Sequence, residues 1–135
     1  MFEFKDEFKT GIDFVDEEHK TLFELTQRTY NIYKDELLHD KYDYIVDVLN
    51  ELRDYTKYHF SHEEEFMKEI GYKKMFTHIM AHNNFIEKLD SYDFEEIDYN
   101  QTDALVDILN FLYDWLVKHI SRVDKEIALS LEDKE

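Results

Sequence analysis

The chain contains no proline and only two glycines, Gly11 and Gly71, among 135 residues. A fold built of short strands needs many turns, and turns depend on glycine and proline because these residues adopt or fix unusual backbone angles. Hydrophobic residues nevertheless make up 43% of the chain, which is ample for one packed core. The sequence therefore predicts an all-α fold of long helices, with residues 1–135 forming a single domain.

Apolar residues recur at intervals of three and four in four stretches, which is the period of an amphipathic helix. The predicted helices cover residues 16–38, 42–69, 73–90 and 102–131, the last capped by Thr102 or Asp103. Tyr33 and Leu37 belong to the predicted inward stripe of the first helix, and Gly71 ends the second. Residues 2–14 form an N-terminal arm, and the acidic stretch 91–101 is predicted to be a loop. Four such helices favour an antiparallel up-down four-helix bundle.

The charge and the missing cysteine exclude several functions. A formal net charge of −17 argues against nucleic acid or an anionic membrane as a partner. The absence of cysteine excludes disulfides, thiolate metal sites and thiol nucleophiles. The first residues are too charged for a secretory signal, and no apolar stretch approaches the ~20 residues of a membrane span. We therefore expect a cytoplasmic protein without a membrane or nucleic-acid partner.

Five of the seven histidines lie on or beside the apolar stripes, at least one on each predicted helix. They are His19, His59, His78, His82 and His119. A single histidine on such a stripe is usually a core residue with satisfied hydrogen bonds. Five directed into one interior are hard to satisfy with protein groups alone. The other two, His39 and His62, are predicted to face solvent.

Glu63 follows His59 by one helical turn and points toward the same apolar stripe. A carboxylate in a core is costly unless a positive or hydrogen-bonding group meets it. For this pair alone, a His–Glu hydrogen bond across one turn is the simpler interpretation. The pair His78 and His82 has the same spacing, which lets two imidazoles bind one ion. Histidines with carboxylates hold metals between facing helices, so the whole set favours a metal site, although imidazole also suits zinc, copper and nickel.

The motifs occur in order along the chain, one set on each predicted helix. They are Gly11-Ile12 with Val15-Asp16-Glu17-Glu18-His19, then His59-Phe60-x-x-Glu63-Glu64-x-x-Met67, then His78-x-x-x-His82-x-x-Phe85, then Trp115-Leu116-x-x-His119-Ile120-x-x-x-Asp124. Together these motifs resemble the hemerythrin family, and most nearly its single-domain bacterial branch. One departure lies in the N-terminal arm, where Phe4 occupies the place of the family's tryptophan.

The resemblance implies a non-haem di-iron centre, bridged by oxo or hydroxo oxygen, with O₂ as its ligand. His78, His82 and His119 would hold one iron, and His19 and His59 the other. Glu63 and Asp124 would bridge the two ions. The two-histidine iron then keeps one open position, where the family binds O₂. The residues that would line this O₂ pocket are Leu22, Phe60, Trp115, Leu116 and Ile120.

Asp124 is the one ligand for which spacing and resemblance disagree. It follows His119 by five residues, which on an ideal helix places it ~140° away and makes it a surface carboxylate. Glu126 is nearly aligned with His119 but lies two turns further, too far to share an ion. The resemblance assigns the bridge to Asp124. The two agree if the helix is locally wider, so we predict a π-bulge between His119 and Asp124.

For function, the resemblance implies a protein that is not an enzyme and binds O₂ for carriage, storage or delivery. One alternative is a sensor module that responds to O₂, nitric oxide or redox state. Another is an iron-handling or peroxide-consuming di-iron protein with the same ligands. We favour the carrier over the sensor, because sensing usually needs an attached output domain and 135 residues leave no room for one.

Overall fold

The computed structural model describes residues 2–132, apart from the side chains of Ser121 and Glu132. After a 3₁₀ turn at Asp6–Phe8 come α1 (Asp13–Lys34), α2 (Tyr42–Ile70), α3 (Met75–Asp90), α4 (Phe94–Tyr99) and α5 (Gln101–Lys118). A π-helical segment, His119–Asp124, joins α5 to α6 (Lys125–Glu132). Within residues 2–132 every regular element is helical, so the predicted all-α class is confirmed.

The first helix is displaced from its predicted limits, since α1 begins at Asp13 and ends at Lys34. The backbone of Asp35 is extended, and the Asp35 carboxylate accepts a hydrogen bond from the Leu37 N–H at 3.0 Å. An aspartate that binds the backbone in this way competes with helix continuation. Leu37 therefore lies outside the helix and is 90% exposed. Tyr33, in the last turn of α1, is exposed as well, so the predicted place of both residues on the inward stripe is wrong.

Gly71 ends α2 as predicted, in a left-handed conformation with φ of 65°.

The predicted loop at 91–101 is wrong in part, because it contains α4. The carboxylate of Asp93 caps α4 by accepting the Glu95 N–H at 2.9 Å, and Ile97 is buried against the main core. One buried apolar residue on so short a helix leaves no periodic pattern. The predicted cap at Thr102 or Asp103 is also wrong, since α5 begins at Gln101.

The helices pack around a core that extends along their length. Helix α1 packs against α2 and α5, and α2 also packs against α3. Thirteen buried residues form the main cluster: Leu25, Ile32, Ile45, Val48, Leu49, Leu52, Phe60, Phe85, Leu89, Ile97, Leu105, Ile108 and Leu112. No helix in the described part of the chain is both long and apolar enough to cross a membrane.

The N-terminal arm covers a second apolar cluster beside α1. The rings of Phe4 and Phe8 lie 5.7 and 5.2 Å from that of Phe23, measured between centroids. The backbone N–H groups of Thr10 and Gly11 donate to the Asp16 carboxylate at 2.7 and 3.1 Å, which fixes the arm at the start of the helix. The arm thereby shields Leu22, Leu116 and Ile120, which belong to the same cluster.

Candidate metal centre

The structure brings the seven predicted ligand side chains together in one buried cluster. One group contains His78, His82, His119, Glu63 and Asp124, and the other contains His19, His59, Glu63 and Asp124. Within each group, one nitrogen or oxygen from every residue lies within 4.8 Å of the others. None of the seven residues is more than 4% exposed. The cluster therefore consists of two donor groups that share two carboxylates.

Glu63 directs its two oxygens toward the two groups. Its Oε1 lies 2.7 Å from Nε2 of His78 and 3.0 Å from Nε2 of His82. Its Oε2 lies 3.6 Å from Nε2 of His59. A carboxylate with one oxygen facing each donor group has the geometry needed to join two cations.

Asp124, at the end of the π-helical segment, has the same arrangement. Its Oδ1 lies 2.9 Å from Nε2 of His78 and 3.0 Å from Nε2 of His119. Its Oδ2 lies 2.8 Å from Nε2 of His19. Asp124 is thus the second shared carboxylate, and it has no exposure to solvent.

The π-helical segment explains how Asp124 enters the cluster. A π turn aligns residues five apart, whereas an α-helix would turn Asp124 ~140° away from His119. The predicted bulge between these two residues is therefore confirmed. Glu126 lies elsewhere, 45% exposed and with its carboxylate 3.2 Å from Nζ of Lys74.

Several atoms at the centre lie close together without forming hydrogen bonds. Among the described residues, Nε2 of His59, Nε2 of His119, Oε2 of Glu63 and both carboxylate oxygens of Asp124 have no partner in hydrogen-bonding geometry. A buried polar atom without a partner costs about 1–3 kcal/mol. Cations between the two groups would satisfy all of these atoms at once. Imidazole nitrogens with two shared carboxylates also suit a pair of iron ions, so the cluster fits this cofactor.

The charges of the cluster favour a cation. Burial by itself raises the pKa of the Asp124 carboxyl, but attraction to His119 and contacts with His19 and His78 lower it well below its usual range. Burial likewise raises the pKa of Glu63, and repulsion from Asp124 adds to this, yet the neighbouring histidines bring that pKa below its ordinary value. Both carboxylates are therefore anionic at neutral pH, as a metal bridge requires.

The histidines respond differently to the same surroundings. Burial lowers the pKa of His78, but contacts with Asp124 and Glu63 outweigh it and raise this pKa to about 9. For His119, burial dominates and the pKa lies below the ordinary value. His78 therefore carries a proton at pH 7 when no metal is bound, and binding a metal must displace that proton.

Two further carboxylates bind the outward-facing nitrogens of ligand histidines. Nδ1 of His59 donates to Oε1 of Glu18 at 2.7 Å, and Nδ1 of His82 donates to Oε2 of Glu64 at 3.0 Å. A proton held on Nδ1 leaves Nε2 free to bind a metal. Both rings therefore have their metal-binding nitrogen directed at the cluster.

Neither carboxylate was among the site residues predicted from the sequence, although a signal for both was present. Glu18 follows Val15 by three residues and precedes Leu22 by four, and both neighbours are buried. Glu64 follows Phe60 by four residues and precedes Met67 by three, and both of these neighbours are buried as well. Such spacing places a side chain at the edge of the inward stripe.

The predicted pocket residues surround the histidines. The Phe60 ring stacks on His82 with centroids 3.9 Å apart, and Trp115 stacks on His119 at 4.2 Å. Leu22, Leu116 and Ile120 are buried in one cluster, and Trp115 packs against it. The histidines thus sit among apolar and aromatic side chains.

Comparison with known proteins agrees with this site. A family model described as the hemerythrin HHE cation binding domain matches residues 10–128. The chain is 45% identical to a bacteriohemerythrin of Clostridium acetobutylicum over 126 residues, which is 93% of this chain and 98% of that protein. It is 34% identical to a hemerythrin of Themiste dyscrita over 120 residues, covering 87% and 82% of the two chains.

A bacteriohemerythrin of Methylococcus capsulatus is 31% identical over 123 residues, covering 88% of this chain and 87% of that protein. A crystal structure described as that of a leucine-to-phenylalanine mutant has the same fold, with a TM-score of 0.73 and 27% identity over 90% of this chain and 89% of that one. Because the family model spans most of the chain and the buried cluster supplies the donors for two metal ions, the chain belongs to the hemerythrin family of di-iron, O₂-binding proteins.

Proposed function

We propose that this protein binds O₂ reversibly at its di-iron centre, for carriage, storage or local delivery. The observation that carries the proposal is the unequal number of donors in the two groups. One group supplies five protein donors and the other only four, with Glu63 and Asp124 common to both. The ion with fewer protein donors keeps room for a small ligand from outside the protein.

In this proposal, His78, His82 and His119 hold one iron, and His19 and His59 hold the other. Glu63 and Asp124, which are common to both groups, would hold both ions. The contacts of both carboxylates with both histidine groups support this assignment. A bound iron pair would supply the reversible electron transfer that O₂ binding and release require.

We also infer that the four long helical stretches run antiparallel, up and down, within a single domain. The support is that each of them contributes to the same centre. His19 lies on α1, His59 and Glu63 on α2, His78 and His82 on α3, and His119 at the end of α5. A centre held from four sides depends on the packing of the whole core, so helix stability and metal binding are coupled.

The surrounding side chains keep water from the O₂ site. Leu22, Leu116 and Ile120 are almost fully buried, and the rings of Phe60 and Trp115 cover His82 and His119. An apolar wall admits a neutral diatomic molecule but offers no hydrogen bonds to water or anions. This favours repeated release of O₂ over irreversible oxidation of the irons.

The test is an iron count together with absorption spectra of the reduced protein in argon, in air and in argon again. We expect about two irons per chain and a spectral change that reverses over many cycles. His82→Ala should lose at least one iron, whereas His39→Ala, which changes an exposed histidine outside the cluster, should lose none. A change in air that never reverses would reject the carrier and favour a peroxide-consuming or redox-sensing role.

A further inference from the structure

A chain of hydrogen bonds leads from the metal centre to the surface through Glu18. Nδ1 of His59 donates to Oε1 of Glu18, and Nδ1 of His62 donates to Oε2 of the same carboxylate, both at 2.7 Å. His59 and Glu18 are buried, whereas the His62 side chain is 44% exposed. We refer to these three residues as the His59–Glu18–His62 link.

The short bonds of this link restrict how Glu18 can turn. Distances of 2.7 Å are those of charge-assisted hydrogen bonds, which are stronger than neutral ones. Because each oxygen binds a different ring, the carboxylate plane is held at both ends. Glu18 in turn holds the His59 ring with its proton on Nδ1, so that Nε2 faces Glu63 and Asp124.

His62 is itself held in place, although it is partly exposed. Its ring centroid lies 4.9 Å from that of Phe14 and 5.3 Å from that of Tyr58. The Phe14 ring also contacts Phe66, at 5.3 Å. The imidazole is therefore packed against two aromatic rings in addition to its hydrogen bond with Glu18.

The other outer carboxylate has no comparable support. Glu64 binds Nδ1 of His82 at 3.0 Å, and its side chain is 28% exposed. Among the described residues, Nδ1 of His82 is the only histidine nitrogen that the Glu64 carboxylate contacts. A second histidine that holds the outer carboxylate, as His62 holds Glu18, is therefore found on the two-histidine side of the centre, where the exogenous ligand is expected to bind.

We propose that His62 is a positioning residue for the two-histidine metal site, acting through Glu18 to fix the orientation and tautomer of the ligand His59. This inference rests on the proposed function, because it takes His59 as a metal ligand. Outer hydrogen-bond partners of ligand histidines commonly contribute 10- to 100-fold to metal affinity, and a residue one step further out should contribute about tenfold.

The experiment is a titration of the metal-free protein with Co²⁺, followed by ligand-field absorption. His62→Phe keeps the ring contacts with Phe14 and Tyr58 but removes the N–H. We expect it to weaken one of the two sites by about tenfold and to shift that site's spectrum. His62→Asn restores an N–H near the place of Nδ1 and should recover both the Co²⁺ affinity and the spectrum of that site. The affected site should be the one that His19→Ala abolishes.

The control is His39→Phe, which changes an exposed histidine outside the cluster and should leave both sites unchanged. Two normal Co²⁺ sites in His62→Phe would overturn the positioning role. Equal weakening of both sites, with a lower melting temperature of the metal-free variant, would also overturn it, because that pattern indicates a structural role. Fewer than two Co²⁺ per chain in the unmodified protein would instead overturn the di-metal centre itself.

Discussion

Nε2 of His119 lies 3.0 Å from Oδ1 of Asp124, although the two residues are five positions apart along one continuous helical stretch. The wider π turn produces this contact by bringing residues five apart into line. Without it, Asp124 would face away from the cluster and the second shared carboxylate would be lost. The local backbone geometry and the composition of the metal centre are therefore linked.

Asp124→Ala is expected to release at least one metal ion, because it removes the carboxylate that faces both donor groups. Glu126→Ala is the matched control on the same stretch, since Glu126 contacts Lys74 at the surface and should be dispensable for metal binding. The measurement is the number of irons per purified chain. Full iron content in the Asp124 variant, with loss in the Glu126 variant, would reverse the assignment.

Deleting the exposed residue Arg122 should preserve the centre. The deletion leaves His119 and the aspartate four residues apart, which a regular α-helix aligns. A π turn is equivalent to one residue inserted into an α-helix, and the deletion removes that extra residue. Buried residues after the turn, such as Ile127, therefore keep their orientation.

The matched control for that deletion is removal of Asp114, which is exposed on the regular helix α5. This deletion rotates everything after it by ~100° relative to the rest of the core and should abolish metal binding. Iron content and helical circular dichroism distinguish the two variants. Equal loss of iron from both would show that the π turn is needed for more than alignment.

Metal binding should release protons at pH 7, because the pKa of His78 is raised to about 9 in the metal-free protein. A histidine ligand must be neutral, so a metal competes with the proton on His78 at every pH below that value. The apparent affinity should rise about tenfold per pH unit for each proton released, and this contribution should level off above pH 9.

Proton release can be measured by titrating the metal-free protein with Zn²⁺ in buffers of different ionisation enthalpy. His78→Gln should release fewer protons than the unmodified protein at pH 7. A pH-independent affinity between pH 7 and 9 would contradict the raised pKa.

Leu116→Ala should speed the oxidation of the reduced protein in air without changing its iron content. The shortened side chain leaves a cavity beside the histidines, which costs about 2–5 kcal/mol of stability and gives water a route to the centre. Leu105→Ala is the control, because it shortens an equally buried leucine of α5 that lies about 16 Å from Leu116 toward the start of the helix. It should lower the melting temperature alone. Equal oxidation rates in the two variants would place the water route elsewhere.

Much of the cluster could be predicted from local spacing. His78 and His82 lie four residues apart on an apolar stripe, and Glu63 has the same relation to His59. Such spacing fixes which face of a helix a side chain occupies, whatever the helix packs against. Asp124 was different, because its spacing suggested the surface and only the family resemblance pointed inward. Its position depends on a π turn, which the spacing indicated only in combination with the resemblance.

The spacing of apolar residues did not predict the end of α1 or the presence of α4. Helix α1 stops at Lys34 because the Asp35 side chain binds the backbone, and α4 contributes only one buried apolar residue, Ile97. Both outcomes depend on single hydrogen bonds and single contacts. A pattern averaged over several turns does not detect them.

The sequence by itself determined the helical class, the inward faces and the histidines that occupy them, because these follow from intervals of three and four along each helix. Only the tertiary structure decided which inward side chains meet across helices. Glu18 of α1 binds His59 and His62 of α2, residues 41 and 44 positions away. That contact depends on the rotation and axial offset of one helix against the other. Packing of the entire core sets these two quantities, and no local spacing contains them.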